Sequence, residues 1–303
     1  MVIKMKTKNT GLLAKLALLV ATLIWGSSFI IVEDVTDALP TNALLTLRFI
    51  SATTLLSLFF LPRLKNLDRS YIWRGATLGV LLFLAYMFQT FGISFPENTP
   101  GKNAFLTAVY CVMVPFMAWG FSKKRPDRYN IISALMCIVG IGFVSLTADF
   151  TMGIGDILTL IGGVFYALHI IAVSRFSIGR DALLLTIIQF AASGICALTL
   201  SLTTELPKLA SVTVTTDLVL CIAYLAVFCT TIALTLQNFG QKYTDPSTAS
   251  IILSLESVFG VAFSVALGRE ELSTKMLLGF ALIFIAVIIS ETKLAFIFKK
   301  KQR

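Results

Sequence analysis

Charge is what this 303-residue chain has least of: 14% of its residues are Asp, Glu, Lys or Arg, while 57% are hydrophobic. A soluble domain carries about a quarter charged residues, so a dissolved globular fold is excluded. Histidine is almost missing, with His169 alone, and it has no nucleophile or metal-ligand companion at usable spacing. The five cysteines, Cys111, Cys137, Cys196, Cys221 and Cys229, all fall in apolar runs without a C-x-x-C pair. They read as small packing residues, which excludes a disulfide framework and a thiolate metal site. No phosphate loop of the G-x-x-x-x-G-K-[ST] type occurs, so ATP hydrolysis is excluded and no cofactor is expected. The clustered catalytic groups that a lipid-acting membrane enzyme would need are missing as well. The chain reads as a non-enzyme.

What is present is apolar sequence in runs of about 20 residues, the helical length that crosses hydrocarbon with every backbone N–H and C=O paired. The fold class expected is an all-α integral membrane protein with ten transmembrane helices. They are placed at Leu12–Val32, Ala43–Leu61, Ala76–Phe95, Asn103–Phe121, Tyr129–Ala148, Ile154–Val173, Leu183–Leu202, Leu218–Phe239, Thr248–Leu267 and Met276–Phe298. A polar, Gly-containing turn at Thr147–Asp156 separates the fifth from the sixth. The longest loop is expected at Thr203–Asp217. The first run follows a basic stretch and carries no small-residue cleavage motif, so it reads as a retained helix and not a signal peptide.

The net charge of +9 is explained by placement. With the N-terminus in the cytoplasm and the sides alternating, twenty of the 25 basic residues fall in inner segments, "KKR" at Lys123–Arg125 among them. Four fall outside: Lys102, Lys208, Arg269 and Lys275. This positive-inside asymmetry puts both termini in the cytoplasm. Glu33, Asp34 and Asp37 are expected to fill the first outer loop. The expected partner is the lipid bilayer and not nucleic acid.

The chain also repeats itself. "LTLRFISA" (Leu45–Ala52) lies over "TIIQFAAS" (Thr186–Ser193), which sets Arg48 over Gln189 and Phe49 over Phe190; "FQTFG" (Phe88–Gly92) lies over "LQNFG" (Leu236–Gly240). From Pro100 over Pro246 the offset holds at 146 through Ser133 over Gly279. Two five-helix units follow, at 1–148 and 154–303. Five is odd, so the second unit enters the membrane from the opposite side, the inverted repeat of secondary transporters.

These residues resemble the drug/metabolite transporter superfamily, specifically its ten-helix EamA-type permeases. The resemblance rests on "LIWGSSFI" (Leu23–Ile30), "LRF" (Leu47–Phe49), "TPGKNAFLTAVYCVMVP" (Thr99–Pro115), and "LSLESVFGVAFSVALGREELS" with "LLGFALIFIAVIIS" (Leu253–Ser290). Two departures stand out: Glu256-Ser257 replaces the Glu-Pro common in the family, and Lys124 is aligned with Glu270. The resemblance implies a bundle with a central cavity lined mainly by the first, third, fourth, sixth, eighth and ninth helices, opening alternately to either side. Members are mostly exporters of amino acids and other small metabolites, in the bacterial cytoplasmic membrane.

Ionisable groups inside a span each cost about 2.5–3.5 kcal/mol on insertion scales, so they belong on the bundle interior. Glu256 lies near mid-membrane and suits a substrate amine or a proton; a structural hydrogen-bonding role is the alternative. Arg48 suits a substrate carboxylate or anchors a helix as a donor. His169 reads as a packed imidazole or as cavity lining. Gln89 and Gln237, at corresponding ends of the third and eighth helices, read as gate residues or helix caps, and Asn238 shares that ambiguity. Trp25, Tyr86, Tyr110 and Tyr166 suit a flat or cationic substrate or simple packing. Pro115 should kink the fourth helix, and Gly75-x-x-x-Gly79 and Gly162-Gly163 mark close helix contacts. The function expected is secondary active export of a small metabolite such as an amino acid, driven by the substrate's own gradient or by protons. Efflux of cationic drugs and a scaffold without transport activity are the alternatives.

Overall fold

The computed structural model describes residues 2–122, 125–145, 152–244 and 246–293. Lys123 and Lys124, most of the turn between the fifth and sixth runs, Asp245 and the C-terminal basic cluster lie outside the described residues. All regular elements among the described residues are helices. In chain order they are α1 (Val2–Ala38), α2 (Thr41–Phe59), α3 (Leu61–Leu64), α4 (Arg69–Ile93), α5 (Pro100–Ala108), α6 (Tyr110–Ser122), α7 (Arg128–Ser145), α8 (Ile154–Phe176), α9 (Ala182–Leu200), α10 (Leu206–Leu209), α11 (Thr216–Tyr224), α12 (Ala233–Tyr243), α13 (Pro246–Ala266) and α14 (Thr274–Thr292). Two π-helical stretches interrupt the series, π1 (Ser201–Glu205) and π2 (Leu225–Ile232).

Among the described residues, seven stretches are long and apolar enough to cross a membrane: Thr10–Ala38, Thr41–Phe59, Arg69–Ile93, Pro100–Gly120, Ile154–Phe176, Ala182–Leu209 and Thr216–Tyr243. Three shorter apolar helices accompany them, at Arg128–Val144, Ile252–Ala266 and Thr274–Ile289. All fall on the apolar runs of the sequence. Side-chain acceptors set where several begin: Asp68 accepts from Tyr71 N–H at the start of α4, Asp181 from Leu183 N–H at α9, and Ser273 from Met276 N–H at α14. Pro100 opens α5, where a missing N–H costs nothing.

The structure corrects four local expectations. Glu33, Asp34 and Asp37 are not loop residues but sit on the last turns of α1, which runs on to Ala38. Thr203–Asp217 is not an open loop, because π1 and α10 occupy its first part. The Glu205 carboxylate explains this, accepting from Asn42 N–H and Nδ2–H (3.0 and 2.9 Å) and from Ala43 N–H (2.9 Å), so it ties the segment down while capping α2. The fourth run divides at Val109, upstream of Pro115, into α5 and α6. Finally, Gln89 and Gln237 do not end their helices: α4 continues to Ile93 and α12 to Tyr243.

Tight helix pairs form the interior. α4 lies along both α8 and α9, α1 along α13 and α12, α2 along α9 and α7 along α14. Glycine allows the closest approaches. A Cβ on Gly79 would stand 2.4 Å from Gln189 O on α9, and one on Gly26 would stand 2.3 Å from Phe259 Cβ on α13. With no hydrophobic drive between helices in lipid, such close backbone contact supplies the packing that holds a bundle together.

Candidate functional site

Polar side chains on an apolar bundle collect where water or one another can satisfy them, and here they collect around one cavity. It is small, about 40 Å³. That is room for ~3 waters. Its walls come from α1 (Trp25, Ser28, Phe29, Val32), α2 (Arg48), α4 (Tyr86, Gln89, Ile93), α5 and α6 (Asn103, Tyr110), α8 (Tyr166, Ile170), α12 (Gln237) and α13 (Leu253, Glu256). Eight of the ten residues singled out in the sequence therefore face the same space. His169 and Asn238 do not line it. His169 is fully buried against Gln189, Nε2 to Oε1 at 3.2 Å, and Asn238 donates from Nδ2 to Thr186 Oγ1 at 2.8 Å.

An acidic and a basic side chain share the cavity without forming an ion pair among the described residues. Arg48 is 1% exposed; its Nε donates to Thr230 Oγ1 at 3.0 Å, and its guanidinium carbon lies 4.9 Å from the centre of the Tyr86 ring. Glu256 is 6% exposed, half-way along α13, and the Tyr110 hydroxyl is a hydrogen-bond partner of its carboxylate. The tyrosines form a ledge: ring centres of Tyr86 and Tyr166 are 5.6 Å apart, and those of Tyr110 and Tyr166 are 6.1 Å apart. Tyr166 donates to Gln89 Oε1 at 2.8 Å, and Gln89 Nε2 donates to Thr107 Oγ1 at 3.0 Å.

The π2 segment shapes the wall beside Arg48. Thr230 and Thr231 hydroxyls each donate to a carbonyl five residues back, Leu225 O and Ala226 O, both at 2.8 Å. Ala233 N–H bonds Phe228 O and not Cys229 O. Cys229 O accepts instead from Trp25 Nε1–H at 2.8 Å, which locks α1 to this segment. Widened turns of this sort recur at functional positions. The sequence reading missed π2, Thr230 and Asn103. The signal for the first two was the hydroxyl pair in "CTTI" (Cys229–Ile232); Asn103 stood in the quoted TPGKNAFL stretch, polar and within a span.

A second polar group lies beyond the cavity. Lys102 Nζ is 2.7 Å from Asp156 Oδ2 and 3.1 Å from Glu97 O, both side chains being nearly out of solvent. Thr99 and Glu270 are joined by a hydrogen bond, and Arg269 pairs with Asp34 at 2.7 Å. Burial lifts the Glu270 carboxyl above its ordinary range, against the pull of the Thr99 hydroxyl and the Lys102 charge. Three other ion pairs, Arg63–Asp181, Arg180–Asp68 and Lys293–Asp127, are substantially exposed.

The chain matches the EamA-like transporter family twice, over residues 12–146 and 153–292. It is 36% identical over 278 residues to an uncharacterized transporter of Archaeoglobus fulgidus, covering 92% of this chain and 85% of that one. It is 25% identical over 282 residues to the uncharacterized inner membrane transporter YedA of Escherichia coli K12, covering 90% and 89%. A solved crystal structure superposes with a TM-score of 0.68 over 93% of this chain and 98% of its own at 16% identity, a likeness of fold. The protein belongs to the EamA-like transporter family.

Proposed function

We propose that this transporter is a secondary active exporter of a small metabolite such as an amino acid, working by alternating access through the cavity of Arg48 and Glu256. The observation that carries the reading is that cavity itself: a small space lined by α1, α4, α8 and α13 among others that sets Arg48 and Glu256 against an aromatic wall. Its charges match the two ends of a zwitterion, and its present size requires the helices to part before a substrate enters. As a member of its family it is a multi-pass protein of the cell membrane and not an enzyme. We read its ten spans as two inverted five-helix units, 1–148 and 154–303, with both termini in the cytoplasm. The double family match supports this, as do the helix pairs: α4 packs on α8 and α9, and the stretch π2–α12 packs on α1 and α2.

Proteoliposomes loaded with radiolabelled amino acids, with and without an imposed pH gradient, test the proposal. Wild type should release label faster than protein-free liposomes loaded alike, and Glu256→Gln should lose at least tenfold of that rate. A variant with wild-type rates and unchanged pH dependence would remove Glu256 from the mechanism. The aromatic wall around a carboxylate favours cationic drug efflux as the second reading, and quaternary cations in the same assay separate the two.

A further inference from the structure

We infer that the cavity selects a ligand end carrying N–H donors, a primary ammonium, held by Asn103, Gln237 and Glu256, and that it rejects a fully methylated ammonium of equal charge. The inference rests on the reading of this cavity as the substrate site and adds to it which end of the substrate is recognised.

Asn103 is fully buried and its orientation is fixed. Nδ2 donates to Gln89 O at 3.3 Å and to Thr159 Oγ1 at 2.8 Å. A backbone carbonyl can only accept, so the amide nitrogen must lie on that side. Oδ1 is then the atom left over, and it has no hydrogen-bond partner among the described residues. Gln237, 4% exposed, likewise keeps Oε1 without one. Both side chains line the cavity beside the Glu256 carboxylate, which has acceptor capacity beyond the Tyr110 hydroxyl. Buried acceptors without donors are rare in native structures and call for an explanation. Asn103, Gln237 and Glu256 thus line one space, and the two amide oxygens have no donor among the described residues.

Donors of the opposite polarity are partly taken, Arg48 keeping its two Nη groups for a carboxylate. Arg48 Nε is taken by Thr230, its guanidinium is stacked over Tyr86, and the Trp25 indole N–H is spent on Cys229 O. The five aromatic rings of the lining attract any cation, methylated or not. The amide oxygens do discriminate, because a trimethylammonium desolvates them and offers no hydrogen in return, a loss of about tenfold in affinity for each.

The test is equilibrium binding of four tritiated ligands that share one phenylethyl frame to the purified full-length protein: phenethylamine, phenylalanine, N,N,N-trimethylphenethylammonium and 3-phenylpropionate. Phenethylamine and phenylalanine should bind at least tenfold more tightly than the other two. In Asn103→Ala and in Gln237→Ala the preference for phenethylamine over its trimethyl counterpart should fall at least threefold. Equal affinity of wild type for that pair overturns the inference, as does failure of phenethylamine to bind or tighter binding of 3-phenylpropionate. The wild-type series needs no variant to fold. The predicted order of affinities in a protein that moves no label across proteoliposomes would leave this inference standing and remove the carrier. Transport of an acid that has no amine would do the reverse.

Discussion

Gly79 shows what one residue is asked to do in this bundle. Its missing Cβ would stand 2.4 Å from Gln189 O and 2.6 Å from Ala192 Cβ, so Gly79→Ala must push α4 and α9 apart. The expected cost is about 1–3 kcal/mol, read as a lower Tm in detergent; an unchanged Tm would mean the helices slide freely. The small residues themselves were plain in Gly75-x-x-x-Gly79, and so were Trp25, Glu256 and the tyrosines, because polar or bulky residues in an apolar run stand out. Residues whose role depends on a partner were not plain. Gln189 was aligned with Arg48 on paper, yet in space it receives His169. Asn103 gained its meaning only from Gln89 O and Thr159 across a helix interface.

At the scale of elements, α5 is held at its N-terminal end by buried charge. Lys102 ties it to Asp156 of α8, and Glu270 reaches it through Thr99. Lys102→Met alone strands a buried carboxylate and should cost about 3–5 kcal/mol, whereas Lys102→Met with Asp156→Leu should recover most of that. Thermal unfolding of the single and double variants checks this, and additive losses would refute it. Glu270 gives a pH dependence. Its folded value lies above the ordinary 4.5, so the folded state holds the proton more tightly than the unfolded one does. The stability from this group is fully present below 4.5 and is lost as pH rises through the folded value. Wild-type Tm should therefore fall relative to Glu270→Gln between pH 4.5 and neutrality; a difference that stays flat with pH sinks the assignment. Helix positions followed from apolar run length, since hydrocarbon thickness fixes them. Ends and interruptions did not, because an acidic stretch reads as loop until α1 is seen to carry it, and an i→i−5 turn leaves no period of its own.

For the whole molecule, the proposed orientation sets Ser94 outside and Ile178 inside, and both are solvent-exposed. With the five native cysteines changed to alanine, Ser94→Cys should react with a membrane-impermeant maleimide on intact cells and Ile178→Cys only after permeabilisation. The reverse pattern would invert the topology. Basic residues and the internal repeat are what the proposed architecture rests on, because both are properties of order along the chain. The cavity's small volume was not legible there, since side chains from several helices set it. The two ends of the bundle are built unlike each other. In the proposed orientation the external end joins a pair kept from solvent, Lys102–Asp156, to an exposed one, Arg269–Asp34, whereas the cytosolic end has Arg63–Asp181, Arg180–Asp68 and Lys293–Asp127, all bathed by solvent. Exposed pairs weaken as counter-ions crowd in, while shielded ones keep their strength. In that reading the fastening that high salt leaves intact lies on the outer side, so added salt should free the cytosolic end before the external one.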